Sequence, residues 1–170
     1  MKKYRFINLM IIPFVFLWSC NAIYENGKEM AASSQTRIDQ ISVAELNEKM
    51  LGEEEFHLID VRQPKELKKG YINQDFDYDD YLEPVNIPRG LLEFRIADAG
   101  FWENYYEELP EKESTEIIVY CKSGGRSALA AETLMQLGYK KVKSLSGGYN
   151  AWNPDHGDAA VKEESSGCGG

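Results

Sequence analysis

One cysteine lies where a short apolar run gives way to small and basic residues. Cys121 follows Ile117–Tyr120, a run that predicts a buried strand. The next six residues are Lys122, Ser123, Gly124, Gly125, Arg126 and Ser127. Two glycines allow a tight turn with inward backbone N–H groups, and the helix predicted from Ser127 to Leu137 adds its positive N-terminal end. The pattern predicts a partly exposed anion-binding loop around a nucleophilic thiolate.

The alternative for Cys121 is an inert, buried cysteine at the end of a strand. Apolar neighbours on both sides would support that interpretation, but polar, glycine and basic residues follow it. Arg126 adds a positive charge close to the thiol. Lys122 and Ser123 either face an anionic ligand at the entrance or are merely solvated. We therefore predict that Cys121 is catalytic and that the six residues after it bind the substrate.

Strands and helices alternate on both sides of this loop. Buried strands are predicted at Phe56–Val61 and Val142–Leu145, besides the run before Cys121. Helices are predicted at Ser42–Met50, with Ser42 and Glu45 as a capping box, from Pro64, at Phe94–Ala97, at Trp102–Leu109, and after the loop as far as Gly138. This order predicts an α/β fold, a parallel β-sheet flanked by helices on both faces, with the site at the carboxyl ends of the strands.

The chain resembles a single rhodanese-like domain of the sulfurtransferase family from about Arg37 to Trp152. The similar segments are Leu58–Glu66, Gly70–Ile72, Asn86–Pro88, Cys121–Ser127, and Leu145–Gly148 with Trp152. The resemblance implies transfer of sulfane sulfur from thiosulfate or a persulfide to a thiophilic acceptor through a persulfide on Cys121. The family associates four residues between cysteine and arginine with sulfur transfer, and this chain has that spacing; phosphatase-like and arsenate-reducing relatives have five.

Three charged residues match the family pattern at the end of the first predicted core strand. Asp60, Arg62 and Glu66 are expected to be structural residues near the site, with Arg62 and Glu66 forming a local ion pair. The resemblance implies neither a metal nor an organic cofactor. Two other functions remain open: a non-catalytic module that binds an anion or a partner, and a thiol redox protein that uses Cys121 with Cys168.

The N-terminus predicts export. Residues 1–19 have three basic residues followed by a mostly apolar stretch that is too short to span a bilayer, which is typical of a signal peptide. Leu17–Cys20 resembles a bacterial lipobox, which implies lipidation of Cys20 and anchoring in the cell envelope, on the periplasmic or outer face of a membrane. The alternative is a plain export signal with an incidental cysteine.

The sequence also predicts how the chain is divided and which partners it has. Residues 20–36 are predicted to be a lipidated, flexible tether, 37–153 the domain, and 154–170 a flexible tail. The net charge of −9 argues against a nucleic-acid partner. The expected partners are a small sulfur donor, a thiol or other thiophilic acceptor, and the membrane, with the protein acting as a monomer. The acidic stretch Asn73–Val85 is predicted to be a solvated loop, because Asp80 and Asn86 occupy the glycine and glutamate positions of a calcium loop.

Overall fold

The computed structural model describes residues 23–52, 55–73, 84–105 and 108–153. Its strands are β1 (Asp39–Ile41), β2 (His57–Asp60), β3 (Val85–Asn86), β4 (Glu116–Tyr120) and β5 (Lys141–Leu145). Its α-helices are α1 (Gly27–Gln35), α2 (Val43–Leu51), α3 (Pro64–Leu67), α4 (Leu92–Arg95), α5 (Ala99–Trp102), α6 (Gly125–Gln136) and α7 (Gly148–Trp152). Two 3-10 turns lie at Arg89–Leu91 and Glu103–Tyr105.

The described strands form one parallel sheet in the order β1-β5-β4-β2-β3. Side chains alternate between the two faces along β4. Ile117 and Val119 belong to one hydrophobic cluster, and Ile118 and Tyr120 belong to the other. The central strand β4 is therefore buried on both faces, and it delivers Cys121 to the carboxyl edge of the sheet.

Helices cover both faces of this sheet, as predicted. Trp102 of α5 and Leu134 of α6 pack in the cluster that contains Cys121, together with Leu92 of α4. Leu46 of α2 and Tyr149 of α7 pack in the opposite cluster, and Trp152 lies at its margin. The predicted α/β architecture is confirmed.

Local sequence signals set several of the helix ends. The Ser42 hydroxyl accepts the N–H of Glu45, whose carboxylate accepts the N–H of Ser42, so the predicted capping box is present at the start of α2. Pro64 begins α3, where its missing N–H and fixed φ suit the first helical turn. Gly138 follows the end of α6, as expected.

Two helix predictions in the middle of the chain are wrong in extent. A helix is predicted at Trp102–Leu109, but α5 already ends at Trp102, and a 3-10 turn follows it at Glu103–Tyr105. The fully buried Trp102 donates its indole N–H to Ile96 O at 3.1 Å, which anchors the last residue of α5 in the core. The helix predicted at Phe94–Ala97 begins earlier, at Leu92.

The expected flexible tether is wrong for its second half. Gly27–Gln35 forms α1, which begins at Asn26, whose side chain accepts the N–H groups of Lys28 and Glu29. This helix packs on α6. The fully buried Ser34 donates to the Glu132 carboxylate at 2.5 Å, and Arg37 pairs with the same group at 2.8 Å. Tertiary contacts with α6 therefore stabilise a helix that has no apolar periodicity of its own.

Several expectations fall outside the described residues: the signal peptide with Cys20, most of the acidic stretch Asn73–Val85, and the tail with Cys168. Within the described residues, no helix has the length and apolar character needed to cross a bilayer.

Candidate active site

Cys121 lies between the end of β4 and the start of α6. Its Sγ accepts the backbone N–H of Gly124 at 3.2 Å. Gly124 has a φ of +90° and is the N-cap of α6, a backbone conformation that glycine adopts without steric cost. The structure therefore places the sulfur against a backbone N–H at the positive end of a twelve-residue helix, as the sequence predicts.

The thiol is more buried than expected. Cys121 is only 1 % exposed and belongs to one of the two hydrophobic clusters, so the prediction of a partly exposed cysteine is wrong. It continues the face of β4 that carries Ile117 and Val119, and packing of that face covers it. Polar groups nevertheless contact its sulfur, which distinguishes it from an inert core cysteine.

Ser127 connects the sulfur to the next strand. Its Oγ lies 3.6 Å from Cys121 Sγ and 3.1 Å from Gly124 O, and it receives a hydrogen bond from Ser144 Oγ at 2.8 Å. A hydroxyl has one proton, so Ser127 can donate either to the loop carbonyl or to the sulfur while Ser144 donates to it. Sequence reasoning missed Ser144, a buried polar residue near the end of β5.

The first turn of α7 holds the active-site loop through backbone hydrogen bonds. Tyr149 N–H donates to Cys121 O at 2.8 Å, and Asn150 N–H donates to Lys122 O at 2.9 Å. Gly148 has a φ of +60°, and a Cβ at this position would lie 2.4 Å from Cys121 O. The sequence analysis identifies Gly148 only as part of a segment that resembles the family and assigns it no role. Its position shows that the active-site loop requires a glycine at this contact.

Helix α1 contacts the same loop from another side. A Cβ at Gly124 would lie 3.3 Å from Gln35 Nε2, and a Cβ at Gly125 would lie 3.5 Å from Ala31 Cβ. Gly124 therefore lets α1 approach closely, in addition to forming the turn, whereas a Cβ at Gly125 would make an ordinary contact with that helix. Nothing in the sequence of Gly27–Gln35 indicates this proximity.

Asp60 and Arg62 form what we call the inner pair. Arg62 Nη2 lies 2.7 Å from Asp60 Oδ2, and the two side chains are 2 % and 0 % exposed. The Arg62 guanidinium also donates to Gly70 O at 2.9 Å and lies 4.2 Å from the centre of the Tyr149 ring. Burial alone would lower the pKa of Arg62, but hydrogen bonding to Asp60 and its charge raise that pKa above its ordinary value.

Glu66 and Arg126 form what we call the outer pair. Arg126 Nη1 and Nη2 lie 2.7 and 2.8 Å from the two oxygens of Glu66, and the Arg126 side chain is 36 % exposed. Hydrogen bonding to Arg126 lowers the pKa of Glu66 to about 2. The expected pair between Arg62 and Glu66 is therefore wrong, because the buried Asp60 takes Arg62 and leaves Glu66 to the loop arginine.

The remaining predicted site residues line the loop. Lys122 and Gly125 are partly buried, Gly124 is buried, and Ser123 is exposed. Among the described residues, no group of three His, Cys, Asp or Glu side chains is arranged to hold a metal ion. The two carboxylates that the sequence predicts near the site, Asp60 and Glu66, are each bound by a guanidinium.

The sequence matches a known protein family. A family model described as the rhodanese-like domain matches residues 42–155. The chain belongs to the rhodanese-like family. Its match begins after α1, so that helix lies outside the segment that the family model covers.

Sulfurtransferases are among the relatives of this rhodanese-like chain. Thiosulfate sulfurtransferase 18 of Arabidopsis thaliana is 31% identical over 135 residues, 78% of this chain and 92% of the relative. A human single-domain sulfurtransferase has a TM-score of 0.56 at 27% identity, covering 66% of this chain and 93% of that one. A Rhodopseudomonas palustris protein of unknown function, described as a possible tyrosine phosphatase, has a TM-score of 0.61 at 26% identity, covering 81% and 96%.

Proposed function

We propose that this chain is a sulfurtransferase that carries sulfane sulfur on Cys121. The observation that carries the proposal is the position of Cys121 Sγ, 3.2 Å from the N–H of Gly124 at the positive end of α6. Such a setting stabilises the anionic sulfur that must attack a donor and the anionic persulfide that results. The sulfurtransferase names of the relatives support the same chemistry.

In the proposed first step, the Cys121 thiolate attacks the outer sulfur of the donor. A bond forms between Sγ and that sulfur, and the donor's own S–S bond breaks with its electron pair leaving on the remainder of the donor. Thiosulfate would release sulfite, and an alkyl persulfide would release a thiolate. A thiophilic acceptor then attacks the outer sulfur, takes it away, and returns the Cys121 thiolate.

The burial of Cys121 favours sulfur over bulkier groups. Cys121 is 1 % exposed, so a narrow terminal atom should approach its sulfur more readily than a bulky group. A terminal sulfur meets that condition better than a tetrahedral phosphate. The four residues between Cys121 and Arg126 support the same choice over the phosphatase description of one structural relative.

Transfer kinetics test this proposal. Purified protein is given methanethiosulfonate as donor and cyanide as acceptor, and the thiocyanate formed is measured. We expect turnover in the wild type and in Cys168→Ser, with transfer reduced to a few per cent or less in Cys121→Ser. Equal rates in Cys121→Ser would overturn the proposal. No turnover in a folded wild type would favour a binding module, and loss of activity in Cys168→Ser would favour thiol redox chemistry.

We further propose that Cys20 is lipidated and anchors the domain in the bacterial cell envelope. The sequence pattern Leu17–Cys20 after a short apolar run supports this. Asn26 caps α1 only six positions after Cys20. The connecting chain therefore spans at most about 22 Å, and the domain would lie close to the membrane surface.

Fractionation tests the anchor. Cys20→Ala should abolish labelling by a fatty-acid probe and move the protein out of the membrane fraction. Membrane retention without label would indicate an uncleaved N-terminal anchor and contradict lipidation. The variant should keep its transfer activity, because Cys121 and its contacts lie within the folded domain.

A further inference from the structure

The loop arginine is occupied before any donor arrives. Arg126 supplies the one guanidinium of the active-site loop, and both of its terminal nitrogens contact the Glu66 carboxylate, at 2.7 and 2.8 Å. Such a two-bond pair is among the stronger arrangements available to a carboxylate and a guanidinium. Arg126 lies in the same loop as the nucleophile, five positions after Cys121. Hydrogen bonding to Glu66 chiefly, and the charge of Cys121 in addition, raise the pKa of Arg126.

The charges around the nucleophile largely cancel. Asp60 neutralises Arg62, and Glu66 neutralises Arg126. Lys122 adds one positive charge to the loop. The loop N–H groups and the end of α6 are also attractive, but their partial charges are much smaller than a full positive charge. A donor with two negative charges would lose hydration at this site without a guanidinium to compensate for the second charge.

We propose that Glu66 is a specificity-determining residue that acts through Arg126. By holding both nitrogens of Arg126, it makes the site select sulfane donors with one negative charge or none, such as alkyl persulfides and thiosulfonates, over dianionic thiosulfate. The inference rests on the proposed sulfur transfer through Cys121.

Glu66 is suited to this role because it remains charged and held in place. Hydrogen bonding to Arg126 lowers the pKa of Glu66 to about 2, so the carboxylate is ionised at neutral pH. Its Oε2 also accepts the N–H of Gln63 at 2.9 Å, which fixes the side chain at the start of α3. The neutralisation of Arg126 is thus part of the folded structure.

Two donors of nearly equal size isolate the effect of charge. Methanethiosulfonate carries a methyl group where thiosulfate has a charged oxygen, so it has one negative charge and thiosulfate has two. Both transfer the same outer sulfur to the Cys121 thiolate; the first releases methanesulfinate and the second sulfite. The ratio of kcat/KM for thiosulfate to kcat/KM for methanethiosulfonate therefore reports how the site treats the second charge. Lys122 is present with both donors and in every variant, so its charge alone does not account for a change in the ratio between variants.

The test is this ratio in the wild type and in Glu66→Gln, with cyanide as acceptor. The glutamine keeps an oxygen for the N–H of Gln63 but no longer neutralises Arg126. We expect the ratio to rise about tenfold, as one newly uncompensated charge near a protein surface would give. The rise should shrink with added salt. It should also disappear in Glu66→Gln combined with Arg126→Gln, because the effect acts through Arg126.

The matched control is Glu116→Gln. Glu116 is also paired with basic side chains and is 18 % exposed, against 22 % for Glu66. It begins β4, the opposite end of the strand from Cys121 and about 16 Å away at ~3.3 Å per residue. The control changes the net charge equally, so we expect its donor ratio to equal that of the wild type.

The outcomes separate this inference from the proposed function. An unchanged or lower ratio in folded, active Glu66→Gln would overturn the role of Glu66 and leave sulfur transfer standing. An equal rise in Glu116→Gln would also overturn it, because net charge alone would then explain the effect. Absence of transfer from either donor, in all variants, would overturn the proposed function itself.

Discussion

Two carboxylate–guanidinium pairs lie near the nucleophile, and they differ more in solvent exposure than in geometry. The inner pair, Asp60 and Arg62, and the outer pair, Glu66 and Arg126, each have a contact of 2.7 Å. The inner pair is 0–2 % exposed, whereas the outer side chains are 22 % and 36 % exposed. The same chemical pair can therefore fix a structure when it is buried and adjust a charge when it stays in contact with water.

The contrast follows from desolvation. A buried charge that loses its partner has no water to replace it, so the remaining group destabilises the fold strongly. An exposed charge that loses its partner is solvated and remains available to a ligand. We therefore assign the inner pair to the scaffold of the site and the outer pair to its electrostatics.

The largest expected effect is on the inner pair. Arg62→Met leaves Asp60 charged and buried without its partner, and should lower the free energy of unfolding by about 3–5 kcal/mol. The matched variant Arg126→Met should lose about 1 kcal/mol or less, because Glu66 can then be solvated. Urea unfolding measures both values. Similar losses in the two variants would contradict the contrast.

The next effect concerns the backbone behind the loop. Gly148→Ala places a Cβ at 2.4 Å from Cys121 O at a φ of +60°, so it should cost about 2–3 kcal/mol in strain and displacement. Transfer activity should fall as well, since the displaced carbonyl belongs to Cys121. Gly90→Ala is the control, because nothing lies within 4 Å of its Cβ position. Equal unfolding free energies for the two variants would contradict the close contact.

The smallest effect is the stability that Glu66 provides and its dependence on pH. The folded-state pKa of Glu66 is lowered from 4.5 to about 2, so its stabilisation is present above pH 4.5 and is lost as the pH falls through about 2. After allowance for solvent screening, Glu66→Gln should lower the free energy of unfolding by about 1 kcal/mol at neutral pH. The difference between the two proteins should diminish between pH 4.5 and 2. A difference that persists at pH 2 would contradict the ion-pair origin.

Much of the fold is predictable because its signals are local. The β-branched run before Cys121, the capping box at Ser42 and the glycine after α6 each act within a few residues. Helix α1 and the true end of α5 depend instead on what they pack against: Ser34 and Arg37 on Glu132, and the buried indole of Trp102 on Ile96 O. Such long-range contacts have no local pattern in the sequence.

The site follows the same division. The position of Cys121 at the start of a helix is predictable, because the strand, the glycines and the helix are consecutive. The ion pairing is not predictable from the sequence, because Glu66 lies sixty positions before Arg126 in the chain. In addition, Asp60 competes with Glu66 for Arg62, and only the structure shows that Asp60 is buried beside it. Ser144 lies in β5 and Gly148 begins α7, and both residues support the active-site loop. The order of the strands in the sheet, not their order in the sequence, brings them beside Cys121.

The most direct test of sulfur transfer is the mass of Cys121 after contact with a donor. Folded protein is treated with methanethiosulfonate, desalted, and digested under non-reducing conditions. We predict that the Cys121 peptide gains the mass of one sulfur atom, that cyanide removes it as thiocyanate, and that Cys121→Ser shows no gain. An unmodified Cys121 peptide in protein that remains folded, or a disulfide joining Cys121 to Cys168 in place of the added sulfur, would contradict the account.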